Sequence, residues 1–446
     1  MQEILGLDPH ALRRARLSRD PRFDGKFFVA VTSTGIYCRP ICPAPAPKET
    51  NVRYYATAAA AAAAGFRPCL RCRPEAAPGT PAWLGTSAVV RRALSMIQDG
   101  VLDEIPVAEL AARMGLGTRH LHRLFVRHVG ASPIVLAQTR RLHFAKRLLD
   151  ETDLPITQVA LAAGFGSVRR FNAAFSRAYR RAPRELRRQR RPRLAPAEGA
   201  DIVLRLALRP PYDWPQVRDF LAARAVPGVE SVDEHGYTRT VRTPGGHAIV
   251  RVRPVRGAAA LELRVRGAEP TALFQISSAA RRMFDLAADP AGIARAFESD
   301  PLLGPLVKRR PGLRIPGAWD AFECAVRAVL GQQVSVAAAR TLAARLVARA
   351  GEPLADAPDG LTHLFPRPEA LAAANLDGLG ITGTRIAALR ALAGAVAGNT
   401  LDFSADVQEV VAKLASLPGF GIWTAQYVAL RALGEPDAFP SGDLVL

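Results

Sequence analysis

The sequence predicts a multidomain, mainly α protein of four units. In order these are a small cysteine-rich α+β domain, an all-α domain of two helix-turn-helix units, an α+β domain, and an all-α domain built on a glycine-rich helix hairpin. Three observations predict this. The chain has 446 residues, which at about 150 residues per domain suggests three or four domains. Four of its five cysteines fall in two pairs between Cys38 and Cys72. Helical periodicity runs from residue 86 onward and is interrupted, between about 201 and 290, by runs that alternate like strands.

Bulk properties narrow the function. Sixty basic residues face 40 acidic ones, for a net charge of +20. That balance suits a polyanion, and nucleic acid is the default partner. An Arg-rich, Ala-rich, GC-biased genome would leave the same signature, so charge alone does not decide. The first twenty residues lack the apolar core of a signal peptide, and no apolar run approaches the length of a membrane span. A cytoplasmic, monomeric protein with no membrane partner is expected.

Residues 1–77 form the first unit. Around FFVAVTSTGIY, residues 21–37 alternate apolar and polar and read as strands. The pairs are Cys38-x3-Cys42 and Cys69-x2-Cys72. Such pairs bite a tetrahedral metal from two knuckles, and four thiolates favour zinc. The expected cofactor is one Zn2+ on Cys38, Cys42, Cys69 and Cys72, which makes this the zinc-bound α+β domain. Disulfides or unrelated buried thiols are the alternatives, but disulfides are rare in a reducing compartment. Between the pairs, the stretch from Tyr54 to Phe66 holds seven consecutive alanines and reads as a helix that Gly65 ends. A Pro/Gly linker follows near 74–83.

Residues 85–190 form the second unit. An amphipathic helix, a Gly115 turn and a helix from Thr118 recur as a second helix, a Gly164 turn and a helix capped by Ser167. The second helix of each pair has an apolar face (Leu121, Leu124, Phe125; Phe171, Phe175) and a basic face. Arg119, His120, Arg123, Arg169 and Arg170 on those basic faces are the candidate readers of a DNA groove. Eight arginines between Arg180 and Arg193 make a polybasic tail suited to phosphates. Residues 201–290 then read as α+β, with strands in IVLRLALRP, HAIVRVRPV and ALELRVRG. Residues 300–446 read as helical to the end. There LPGFGIWTA looks like the hairpin of a helix-hairpin-helix, with Gly419 and Gly421 letting the backbone approach a phosphate and the next helix pointing its amides at it. Cys324 sits in an apolar helix as a core thiol.

Three family resemblances follow from these residues. DGKFFVAVTSTGIYCRPIC and AAGFRPCLRCRP resemble the N-terminal domain of Ada-type alkylation-response proteins. GFGSVRRFNAAFSRAYRRAP resembles the AraC-type double helix-turn-helix. PPYDWPQVRDFLAARAV, FECAVRAVLGQQVSVAAAR, LPGFGIWTAQYVALRALG and FPSGDLVL resemble AlkA-type DNA glycosylases. Together they are similar to Ada–AlkA fusion proteins of the adaptive response to DNA methylation.

The resemblance implies specific roles. Cys38 would accept a methyl group from a methylphosphotriester in double-stranded DNA, and Arg39 would hold a neighbouring phosphate. Loss of one negative charge at the zinc site would strengthen DNA binding and activate transcription with RNA polymerase. Asp443 would serve the glycosidic hydrolysis of alkylated purines such as 3-methyladenine, with Asp437 a solvated competitor. Trp423 and Tyr427, four apart on one helix, and Phe220 would line the pocket of the cationic base. Gln333 stands where the family places its apolar wedge for base flipping. Trp423 replaces the Schiff-base lysine of glycosylase/lyases, which implies a monofunctional enzyme. The chain ends three residues after Asp443, so an incomplete glycosylase domain is expected. The rival is a methylation-sensing regulator whose glycosylase region holds DNA without catalysis.

Overall fold

The computed structural model describes residues 8–78, 88–188, 201–355, 358 and 360–442. Its first unit is a four-stranded sheet of order β3-β1-β2-β4, built from Phe28–Val31 (β1), Ile36–Cys38 (β2), Val52–Tyr55 (β3) and Arg67–Pro68 (β4). The alanine run forms a helix over Ala58–Ala63, and the Thr57 side chain accepts from the Ala60 amide at 3.0 Å to cap it. Tyr54 and Tyr55 go to β3 instead of the expected helix. Aromatic residues suit a pleated surface, and here they line up against Phe28 and Val29 of β1. Among the described residues, the apolar core within this unit is two small clusters, one around Phe27 and Val29 and one around Phe28 and Tyr37.

Both helix-turn-helix pairs form as the sequence predicts. They are Val107–Arg113 with Thr118–Val129, and Ile156–Ala162 with Val168–Tyr179. Gly115 and Gly164 take φ of 67° and 80°, the left-handed turn that only glycine adopts without strain. The Ser167 side chain accepts from the Arg170 amide at 3.2 Å. Between the pairs runs the long helix Pro133–Glu151, started by Ser132 and Pro133.

The third unit is an antiparallel sheet of order β5-β9-β8-β7-β6, from Ile202–Ala207 (β5), Glu230–Val232 (β6), Tyr237–Thr243 (β7), Gly246–Pro254 (β8) and Ala260–Arg266 (β9). The sequence pattern marks β5, β8 and β9 but not β6 and β7, because Thr, Arg and Glu replace the usual apolar residues there. Those polar residues are buried in a network that joins the sheet to the last unit. Arg239 pairs with Glu323 at 2.6 Å, and Arg327 reaches Glu230 at 2.9 Å and Glu323 at 3.0 Å. Two positive and two negative groups balance, and Tyr237 donates to Glu230 at 2.6 Å.

The last unit packs helices Ala321–Leu330, Val336–Ala350, Gly383–Ala397, Val407–Ser416 and Ile422–Arg431 around one core. It is not helical throughout. Two short strands, Glu352–Pro353 (β10) and His363–Leu364 (β11), pair where the chain docks on the sheet, with Thr240 donating to the His363 carbonyl at 2.7 Å. Among the described residues no helix is long and apolar enough to cross a membrane.

The units share cores. Phe171, Phe175 and Tyr179 of the second helix-turn-helix belong to the same apolar cluster as Leu204, Val250, Leu263 and Phe284 of the sheet domain. The zinc domain docks on the long helix through Tyr37, whose hydroxyl is hydrogen-bonded to His143 Nε2 at 3.0 Å, and through Arg73 with Asp150 at 2.8 Å. Burial pushes His143 down to about 4, with Lys146 adding repulsion. The unfolded chain therefore takes up a proton near pH 6.5 that the folded one refuses until about pH 4. Stability should fall as pH drops through that window, by on the order of 2 kcal/mol after allowing for partial solvent contact. Denaturant melts of the full chain from pH 7 to 4.5 check this, and His143→Phe should flatten the slope.

Candidate metal centre and DNA-facing sites

β2 delivers Cys38 at its last residue, and the turn after it returns Cys42, whose amide bonds the Arg39 carbonyl at 3.1 Å. β4 runs parallel to β2, and the Cys69 amide bonds the Tyr37 carbonyl at 2.9 Å. Cys72 follows in the next turn. The two knuckles thus come together because β2 and β4 are neighbours. The four sulfurs all lie within 4.8 Å of one another. A zinc–sulfur bond of about 2.3 Å in a tetrahedron puts sulfurs about 3.8 Å apart, so the set fits that ion. Hydrogen bonds within the cluster raise Cys38 and Cys72 and lower Cys69, with Cys42 brought to about 7. Four sulfurs this close cannot all be thiolates without a cation. This is a four-cysteine zinc site.

Burial separates the ligands. Cys69 and Cys72 are 8% and 7% exposed, while Cys38 and Cys42 are half-buried. The first pair is the more exposed of the two. The Arg39 amide donates to Cys72 Sγ at 3.3 Å, a bond that steadies the charged sulfur. The Arg39 guanidinium does not point free into solvent. It is paired with Asp24 and donates to the Cys72 carbonyl at 3.1 Å. Sequence reasoning missed Asp24 as its partner, because the two lie 15 positions apart. Asp24 also bonds the third unit, its carbonyl accepting from Arg209 at 3.0 Å.

The basic faces of both recognition helices are open. Arg119, His120, Arg123, Arg169 and Arg170 are exposed, while Leu121, Phe125, Phe171 and Phe175 are buried beneath them. The polybasic stretch lies outside the described residues beyond Arg188.

In the last unit, Gly419 takes φ 76°, and a Cβ there would come within 2.8 Å of Ala388 Cβ. Gly421 differs from expectation, with an ordinary φ of −93° at the start of helix Ile422–Arg431. Its contribution is open space, since a Cβ there would meet nothing within 4 Å. Gln332 bonds the Gly419 carbonyl at 2.9 Å and Thr424 at 3.2 Å, tying its loop to the hairpin. Gln333 is exposed and held at φ 53°, a strained conformation for a side chain.

Trp423 and Tyr427 stack with centroids 5.4 Å apart and planes at 21°. Phe220 makes no ring stack with this pair among the described contacts and is linked to it through Arg431, which lies 4.7 Å over Phe220 and 5.8 Å over Tyr427. Arg224 also covers Phe220, at 3.9 Å. Asp443 lies outside the described residues. Its neighbour Gly442 does not, and a Cβ there would sit 3.9 Å from the Trp423 ring. Cys324 is buried and its thiol is pushed up to about 12, so it is inert at neutral pH.

A four-cysteine metal centre, two helix-turn-helix units with exposed basic faces and a glycine turn at a helix start are together the features of a DNA-binding protein. The comparisons with known proteins bear on which one. Residues 11–75 match the metal binding domain of Ada, 110–189 a helix-turn-helix domain, and 203–320 the AlkA N-terminal domain. Over 437 residues the chain is 44% identical to the probable bifunctional transcriptional activator/DNA repair enzyme AlkA of Mycobacterium tuberculosis, covering 97% of this chain and 88% of that protein. It is 40% identical to DNA-3-methyladenine glycosylase 2 of Escherichia coli over 53% of this chain and 83% of that one. It is also 39% identical to the bifunctional transcriptional activator/DNA repair enzyme Ada of Escherichia coli, over 33% of this chain and 40% of that one. The chain belongs to the family of bifunctional transcriptional activator/DNA repair enzymes that join an Ada-type zinc domain and helix-turn-helix to an AlkA-type glycosylase.

Metal content tests the centre. The purified chain should carry one zinc per molecule by atomic emission. Cys69→Ser should lose most of it and release the first unit to proteolysis, because its two small apolar clusters cannot hold it alone.

Proposed function

We propose that this protein removes methyl groups from DNA phosphotriesters onto Cys38, reports that event by transcriptional activation, and excises alkylated purines with its C-terminal half. The observation that carries the first part is the four-sulfur cluster itself, with two buried and two half-buried cysteines, in a chain that also carries helix-turn-helix units with exposed basic faces. Zinc, when bound, keeps the sulfurs deprotonated at neutral pH. Cys38 Sγ attacks the methyl carbon in line. A sulfur–carbon bond forms, the carbon–oxygen bond of the triester breaks, and its electron pair leaves on phosphate oxygen. The diester regains its charge and the protein loses one negative charge. Cys38 and Cys42 are both half-buried, and the resemblance of the Cys38 context to the Ada motif supports Cys38 as the acceptor. The step is stoichiometric, since a thioether is a poor leaving group.

Loss of that charge strengthens attraction to phosphates, so the helices bearing Arg119, His120, Arg123, Arg169 and Arg170 grip a promoter more tightly. The bound monomer then recruits RNA polymerase. Arg39 reaches a phosphate only by exchanging Asp24 for it.

For the second activity, the hairpin at Gly419 and Gly421 seats a phosphate at the start of helix Ile422–Arg431. Gln333 enters the stack as the flipped base leaves, a role its exposed left-handed position supports. Trp423 and Tyr427 offer a stacked edge to a cationic purine. Asp443 stabilises the sugar's positive charge and orients water for hydrolysis. Trp423 in place of a lysine supports a monofunctional enzyme that leaves an abasic site. The contact between Gly442 and Trp423 supports bringing Asp443 to this pocket.

Two assays test this. After incubation with methylated DNA, peptide mass spectrometry should find one added methyl on Cys38, and Cys38→Ser should carry none. A methyl on Cys42 instead would overturn the assignment. Release of free 3-methyladenine should fall by at least about a hundredfold in Asp443→Asn. Equal release by both chains removes Asp443 from the mechanism, and no release by either favours a regulator that only holds DNA.

A further inference from the structure

Where the zinc domain, the long helix Pro133–Glu151 and the sheet domain meet there is a cavity of about 770 Å³. That is within the usual range for a small-molecule site. Its wall carries two guanidiniums with no carboxylate partner among the described residues. Arg147 donates Nη2 to the Arg205 carbonyl at 2.8 Å, and its Nε is buried without an acceptor. Arg281, from helix Leu273–Met283, has one marginal bond, to the Ala207 carbonyl at 3.5 Å. Its charged neighbours are Arg147 and Arg209, both of like sign, and burial with that repulsion pushes Arg281 down to about 9.

The carboxylates on the same wall are committed elsewhere. Glu75 faces Lys146 at 3.5 Å, Asp99 pairs with Arg282 at 2.8 Å, Asp285 accepts from the Ile315 amide at 3.3 Å, and Glu435 accepts from the Asp437 amide at 3.3 Å. Unpaired charges side by side in a sheltered site are unfavourable, and folding alone gives no reason for them. Paired arginine forks match the oxygens of a phosphate. Phe144 and Phe274, 5.1 Å apart and edge to face, supply an apolar wall beside them.

We infer that this cavity binds a small phosphate-bearing organic molecule, with the phosphate on Arg147 and Arg281 and the apolar body toward Phe144 and Phe274. None of these residues belongs to the zinc centre, the recognition helices or the base pocket. Because all four units supply parts of the wall, the last through Leu313, Ile315 and the segment 430–436, an occupant links them.

Calorimetric titration of the zinc-loaded full chain tests this with adenosine monophosphate, inorganic phosphate and adenosine as probes. Adenosine monophosphate should saturate one site, phosphate should bind at least about tenfold more weakly, and adenosine should give no signal. Arg147→Gln and Arg281→Gln should each weaken the nucleotide by about tenfold or more, with promoter affinity unchanged. Arg281→Lys keeps the charge and serves if the glutamine variant misfolds, and it should retain most of the binding. Absence of saturable binding at millimolar nucleotide overturns the inference. So does equal affinity in both arginine variants, which would send the anion to the DNA-facing surfaces, or equal affinity for phosphate and nucleotide, which would leave the apolar wall without a role.

Discussion

Mutual repulsion among four sulfurs within 4.8 Å is the constraint on which the first unit depends. Thiolates at that spacing are tolerable only around a divalent cation, and the apolar clusters of this unit are too small to fold it unaided. The metal is therefore structural and chemical at once. The same ion that holds β2 beside β4 keeps the sulfurs deprotonated at neutral pH. Converting one thiolate to a thioether changes the charge of the site while three ligands remain to hold its frame.

The long helix Pro133–Glu151 carries that site into the rest of the molecule. Its residues meet the zinc domain through His143 and Lys146, the sheet domain through Arg147, and both helix-turn-helix pairs through its apolar face. Asp24 ties the zinc loop to the third unit from the other side, holding Arg39 by its side chain and Arg209 by its carbonyl. A change at the zinc loop thus has polar contacts to both neighbours. Arg39 joins the two, bound to Asp24 by its guanidinium and to Cys72 by its amide.

The C-terminal half uses different physics. Its hairpin relies on backbone placement. Gly419 permits a turn that a side chain would block against Ala388, and Gln332 ties the neighbouring loop to that turn. Strain at Gln333 is supported by the same tie. Arg431 lies over both Phe220 and Tyr427, and Arg224 over Phe220, so the face of Phe220 is already taken by two cations.

Much was legible in the sequence because local chemistry fixed it. Cysteine spacing defines a metal knuckle wherever it occurs, turn glycines define a helix-turn-helix, and alanines define a helix. The four units, the zinc ligands and the exposed arginines of the recognition helices follow from such short-range rules. Strands β6 and β7 did not, because their buried residues are charged, and only partners nearly a hundred positions away in the chain make that burial tolerable. Nor did the Asp24–Arg39 pair, the common core of the second helix-turn-helix and the sheet domain, or the unpaired arginines of the central cavity. These are set by which surfaces meet in three dimensions, and a sequence pattern records only which surfaces exist.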